Sequence, residues 1–150
     1  MYSERERRFV SNARVARLAT VDRDGRPHVV PICFALVGDR LVSPIDEKPK
    51  SVDADALTRV RNVRHDPRAA VVVDRYSDDW SRLGWVQIRG EASIREPRDS
   101  TFASAVSSLR TKYPQYDDHR LEDRPLVVLD PRTVVSWGNL RPSSNDRNRR

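Results

Sequence analysis

Two of the chain's three lysines, Lys48 and Lys50, fall just ahead of a helical stretch that carries Arg59, Arg61 and Arg64 around Asn62. A cationic loop running into a helix N-terminus suits an anion, because the first backbone N–H groups lack partners and the helix dipole adds partial positive charge. The cluster is short, so it fits one phosphate better than the length of a polyanion. Asp46, Glu47, Asp53 and Asp55 interleave with these cations, and a solvated charged face is the competing reading. The remaining reactive side chains do not assemble into a catalytic set. His28, His65 and His119 lie in separate segments without metal-ligand spacing, and neither a glycine-rich nucleotide loop nor a nucleophile elbow occurs. Cys33 sits in an apolar run, the setting of an inert buried thiol. The carboxylate pairs Asp78-Asp79 and Asp117-Asp118 stand in polar loops and read as solvated.

The elements that must position these groups follow from periodicity. Phe9, Val10 and Ala13 give a short N-terminal helix one apolar side. Two β-rich runs, residues 15–21 and 28–37, flank a turn containing Asp24-Gly25, and a third run at 40–45 follows Gly38-Asp39. A three-stranded meander is the expectation, with Pro31 and Pro44 at an edge, a bulge or a strand end because neither donates to a ladder. After the basic loop, with capping candidates Ser51, Asp53 and Asp55, a helix reaches His65 with Leu57, Val60 and Val63 on one stripe. Residues 68–74 read as a buried strand. Residues 85–94 alternate, with Val86, Ile88, Gly90, Ala92 and Ile94 facing one way. Phe102, Val106, Leu109 and Tyr113 mark a helix over 99–113, ended by Pro114. The last strand runs over 126–129, bends at Asp130-Pro131 and continues over 133–137. Six strands with helices inserted singly predict a mainly β, α+β fold: an antiparallel barrel, closed or partly closed, with helical caps.

Composition narrows the function. The chain has 150 residues, a net charge of +6 and one cysteine, enough for one domain with a single core and too few thiols for an internal disulfide or a four-cysteine zinc site. The positive excess sits at the ends. Residues 1–17 hold five arginines against two glutamates, and residues 141–150 hold four arginines against one aspartate, while residues 18–140 are neutral. The body therefore offers no basic stripe for nucleic acid. The domain is expected over residues 1–140, with 141–150 a disordered basic tail. No apolar run approaches the roughly 20 residues of a membrane span, and the charged N-terminus lacks the pattern of a signal peptide. A cytoplasmic protein is the expectation.

The order of motifs over residues 14–92 resembles the pyridoxamine 5′-phosphate oxidase-like split-barrel superfamily, which binds flavins and deazaflavins. The resemblance rests on Val15-Ala16-Arg17-Leu18-Ala19-Thr20-Val21 followed by Asp24-Gly25-Arg26-Pro27-His28-Val29-Val30-Pro31, on Arg61-Asn62-Val63-Arg64-His65-Asp66-Pro67-Arg68, and on Gly90-Glu91-Ala92 closing a long strand. Asp46-Glu47-Lys48-Pro49-Lys50 and Asp78-Asp79-Trp80-Ser81-Arg82-Leu83-Gly84-Trp85-Val86 are similar to the actinobacterial branch that uses coenzyme F420. The resemblance implies a six-stranded split barrel, like FMN-binding proteins, and a homodimer with the cofactor in a groove between subunits. It implies that Val30, Pro31, Ile32 and Cys33 line the ring, with Ser43 and Pro44 beside them. Lys48, Lys50, Arg59 and Asn62 would meet the cofactor phosphate, and Trp85 and Trp137 would reach the groove from later strands, against a reading of each Trp as ordinary packing. The loop between Lys50 and Leu57 is longer than in many relatives, which leaves open which lysine faces phosphate. F420 is the favoured cofactor and FMN the alternative, acting on a small unsaturated molecule. Haem binding, or cofactor binding without turnover, stays open beside them.

Overall fold

The computed structural model describes residues 1–45 and 54–143, with side chains omitted for 54–57. Helix α1 (Glu4–Asn12) begins at a capping box in which Ser3 accepts from the Glu6 N–H and Glu6 accepts from the Ser3 N–H. Strands β1 (Ala16–Val21), β2 (Pro27–Ile32), β3 (Ala35–Val37) and β4 (Arg40–Pro44) precede α2 (Ala54–His65). Then come β5 (Arg68–Arg75), β6 (Gly84–Arg95), α3 (Phe102–Lys112) and β7 (Leu126–Gly138). No described helix is long and apolar enough to cross a membrane.

All pairings are antiparallel, and the sheet runs β2-β1-β5-β6-β7-β4-β3. Its two edge strands, β2 and β3, are neighbours in the chain, separated only by Cys33 and Phe34. Three Cα steps span at most about 11 Å, so the edges must come together and the sheet must curl into a barrel whose β2/β3 seam is joined by chain instead of a ladder. This corrects two expectations. The strand count is seven, because the 28–37 run breaks at this corner. The meander also stops after two strands, since β4 pairs with β3 and β7 and never with β2. Pro31 does lie on an edge strand and Pro44 at a strand end, where neither removes a central ladder bond.

The barrel interior holds Leu18, Val30, Ile32, Phe34, Leu41, Val71, Val73, Val86, Ile88 and Leu129, with Val10 of α1 and Val60 and Val63 of α2 packed against them. A second cluster lies outside the barrel, where Phe102, Val106 and Leu109 of α3, with Tyr113 just after it, cover Ala35, Val42, Leu126 and Val128. Strands β4 and β7 are thus buried on both faces over this stretch. The bend at Asp130-Pro131 is a bulge inside one continuous β7, with Arg132 the extra residue between pairs Gly90↔Pro131 and Arg89↔Thr133. Gly90 makes it possible: a Cβ there would lie 2.0 Å from the Asp130 carbonyl oxygen. Helix α3 starts at Phe102, three residues later than expected, because Asp99 accepts from the Thr101 N–H and hydroxyl in a turn that precedes it.

One face of the sheet carries no helix. Across β2, β1, β5, β6 and β7 it presents Val29, Ala19, Ala70, Arg89 and Thr133 in one row, and Pro31, Arg17, Val72, Gln87 and Val135 in the next. Val29 is 61% exposed, Val135 51% and Trp137 55%.

Candidate functional site

The anion-site residues split into those that are described and those that are not. Lys48 and Lys50, with the capping candidates Ser51 and Asp53, lie outside the described residues; Asp55 falls within α2 instead of capping it. Arg59 is 7% exposed, its Nε is buried without a hydrogen-bond partner, and no carboxylate among the described side chains, which do not include those of Asp46, Glu47, Asp53 and Asp55, pairs with it. A buried cation left uncompensated is strongly destabilising, typically by 3–5 kcal/mol when a partner is removed. Asn62, one turn further along α2, is buried and donates from Nδ2 to the Thr20 hydroxyl at 3.1 Å. That bond pins α2 to β1 and fixes the direction in which Arg59 leaves the helix. The outer face of α2 adds a shallow cleft lined by Arg61, Arg64 and His65 together with Arg23 and Asp24 of the β1–β2 turn.

The ring-lining candidates are oriented by the strand period. Val30 and Ile32 point into the barrel and are consumed by its core, whereas Pro31 and its neighbour Val29 face out. What β2 offers at Val30 to Cys33 is therefore backbone on an edge strand, where one side of the ladder is unpaired. The Ser43 hydroxyl donates to the Cys33 carbonyl at 2.8 Å, so the β2–β3 corner is braced from β4, and Pro44 is buried beside it. Trp85 and Trp137 stand opposite each other in the β6–β7 register, next to the Arg17–Asp74 ion pair at 2.6 Å. Three strand spacings, about 14 Å, separate β6 from β2. A single chain thus brings Cys33 and Ser43 together, and Arg59 with Asn62, but leaves the tryptophans on a different part of its surface.

A group absent from the sequence-based list lies at the same corner. Lys112, the last residue of α3, places its Nζ 3.7 Å from the centroid of the Phe34 ring, buried and without a hydrogen-bond partner. Burial is the main reason its amine is brought down to about 7, with the nearby Arg14 guanidinium adding to the effect and Cys33 opposing it. Next to it the Tyr113 hydroxyl accepts from the Phe34 N–H at 3.2 Å and donates to the Arg14 carbonyl at 2.9 Å, and burial pushes this phenol up to about 12. The sequence did hold a signal: Lys112 falls on the apolar stripe of α3, seven residues after Ala105 and three after Leu109. No group of three or more His, Cys, Asp or Glu among the described residues is placed to hold a metal ion.

The architecture recurs in solved structures. A conserved hypothetical protein of Mycobacterium tuberculosis is 26% identical, with a TM-score of 0.72 over 92% of this chain and 86% of that one. A heme binding protein of Mycobacterium smegmatis is 23% identical, with a TM-score of 0.71 over 92% of this chain and 55% of that one. The heme storage protein HutZ of Vibrio cholerae is 19% identical, with a TM-score of 0.70 over 92% and 95%. At these last two identities the likeness establishes the shared fold alone. The family profile for pyridoxamine 5′-phosphate oxidase matches residues 2–138, nearly the whole described chain. Curled antiparallel barrel, helix-capped corner and profile agree, and the chain belongs to the pyridoxamine 5′-phosphate oxidase family.

Proposed function

We propose that the protein is a homodimeric oxidoreductase that uses coenzyme F420 to reduce a small unsaturated molecule. The observation that carries the reading is Arg59, a buried guanidinium with an unpartnered Nε and no carboxylate opposite it among the described side chains. Such a group fits a cofactor phosphate, which would supply the missing charge and acceptors. Lys48 and Lys50, which precede α2 in the sequence, are the further phosphate partners of the proposal, and Asn62 holds the helix in place through Thr20. The ring lies along the backbone of Val30 to Cys33 with Ser43 and Pro44 beside it, and a second copy seated on the helix-free sheet face brings Trp85 and Trp137 to the groove. When bound, F420 supplies a hydride; the chain's residues hold its phosphate, orient its ring and exclude water. The family name supports FMN as the rival cofactor, and the solved haem proteins of the same fold support haem as the next.

Titration with F420, FMN and hemin, followed by tryptophan quenching, tests the choice. F420 binding is the expected result; nanomolar FMN binding without F420 binding, or a Soret band on hemin addition with no quenching by either ring cofactor, overturns it. Arg59→Met should weaken F420 binding roughly 10- to 100-fold, the worth of a charged hydrogen bond, with an unchanged circular dichroism spectrum. Unchanged affinity would remove Arg59 from the phosphate site.

A further inference from the structure

The β2–β3 corner sets one buried amine behind the backbone assigned to the cofactor ring. Phe34 directly follows Cys33, and the Lys112 Nζ rests 3.7 Å from the Phe34 ring centroid and 5.3 Å from that of Tyr113. Two groups from other elements enter its field: the Arg14 guanidinium, from the α1–β1 connection, and the Cys33 thiol, from the corner itself. Tyr113, the next residue along, is held neutral by burial. No carboxylate of a described residue contributes. The amine therefore has apolar ring faces, a like charge and a thiol around it, but no fixed counter-charge. In that setting its protonation answers to whatever charge arrives nearby.

We propose that Lys112 is the charge-sensing residue of the cofactor groove, taking up a proton when an anionic ring lies against the Cys33 backbone and so favouring the deazaflavin over the flavin. The inference rests on the cofactor reading above. F420 carries a ring hydroxyl that ionises to an anion near neutral pH, whereas the oxidised ring of FMN is neutral there. Both bring a phosphate, but that charge is met at Arg59, on α2. An amine standing near 7 in the free protein is half-protonated at neutral pH, so an anion beside it shifts it to ammonium at little expense. By reciprocity, whatever raises the proton affinity of Lys112 binds tighter when Lys112 is protonated. A permanently charged lysine would attract both cofactors' phosphates at all times; a titrating one responds to the ring.

The chain's three lysines make this readable. In protein carrying carbon-13 at lysine Cε, one signal should titrate near 7 and be missing from Lys112→Met. Saturating F420 at pH 8 should move that signal to its protonated position, and saturating FMN should leave it in place. Lys112→Met should weaken F420 binding at least about fivefold and leave FMN binding unchanged, while Lys112→Arg, which keeps the charge, should restore F420 affinity. Three lysines titrating together above pH 9 would overturn the inference, as would tryptophan quenching by F420 with no change at Lys112. Failure of F420 to quench at all overturns the cofactor reading and this inference together.

Discussion

Burial brings the Lys112 amine down to about 7 from an ordinary lysine value of 10.5, and the sign of the resulting pH dependence follows. Between those values the unfolded chain holds a proton that the folded chain has released, so folding stability rises with pH across that window and is flat below it. Removing the amine removes the slope: Lys112→Met should be more stable at pH 7 by about 1–3 kcal/mol and should lose the rise between pH 7 and 10, as read from urea midpoints at each pH. A slope that survives the substitution would place its origin elsewhere. The stripe position of Lys112 is visible in the sequence, but its partner Phe34 is not, because the two meet only through the packing of α3 on the β2–β3 corner. Arg59 behaves alike. Its residue type and its place on a helix that follows two lysines make it a candidate from sequence alone, while its burial, which separates it from the exposed Arg61 and Arg64, depends on α2 turning that side toward the barrel.

At the level of elements, the β6–β7 ribbon and the α2–β1 contact hold the site in shape. Gly90→Ala would drive a methyl into the Asp130 carbonyl and the Pro131 Cα. The bulge must then open, at a cost of about 2 kcal/mol or more, and the thermal midpoint should fall accordingly; an unchanged midpoint would mean that the ribbon relaxes freely there. Thr20→Val removes the acceptor of the Asn62 amide and leaves a buried donor unmet, a loss of about 1–3 kcal/mol that denaturant unfolding would register. The alternation of β6 and the stripes of α1 and α3 are readable from periodicity because each buries one side only. The break at Cys33-Phe34 is not. An apolar run from Val29 to Val37, interrupted only by Pro31, looks the same whether it continues as one strand or turns a corner with both halves packed.

For the whole molecule, the helix-free sheet face is notable for its exposed apolar side chains, with Val29, Val135 and Trp137 more than half exposed. Apolar residues grouped on one sheet face are what an association surface needs, and the homodimer proposed above seats a second copy there. Val135→Asp combined with Val29→Asp should yield a monomer by light scattering and lose most F420 affinity, since Trp85 and Trp137 then no longer reach the groove. A monomeric wild-type protein at micromolar concentration would remove the dimer from the proposal. The charge excess lies toward the two ends of the sequence, with five arginines in the first 17 residues and four in the last ten, and of these Arg17 stands on this face beside Asp74.

Local patterning alone sufficed for the fold class, the helices, the alternating strand and the one place where lysines precede a helix, because these depend on residue periods and on which groups an element leaves unpaired. Tertiary structure decided the rest. Only closure of the sheet joins its two edges through Cys33 and Phe34, turns Val30 and Ile32 inward, pairs β4 with β7 and lays the Lys112 amine on a ring that belongs to a distant segment. Contacts between segments far apart in the chain are set by how curled layers pack, and no window of neighbouring residues encodes that.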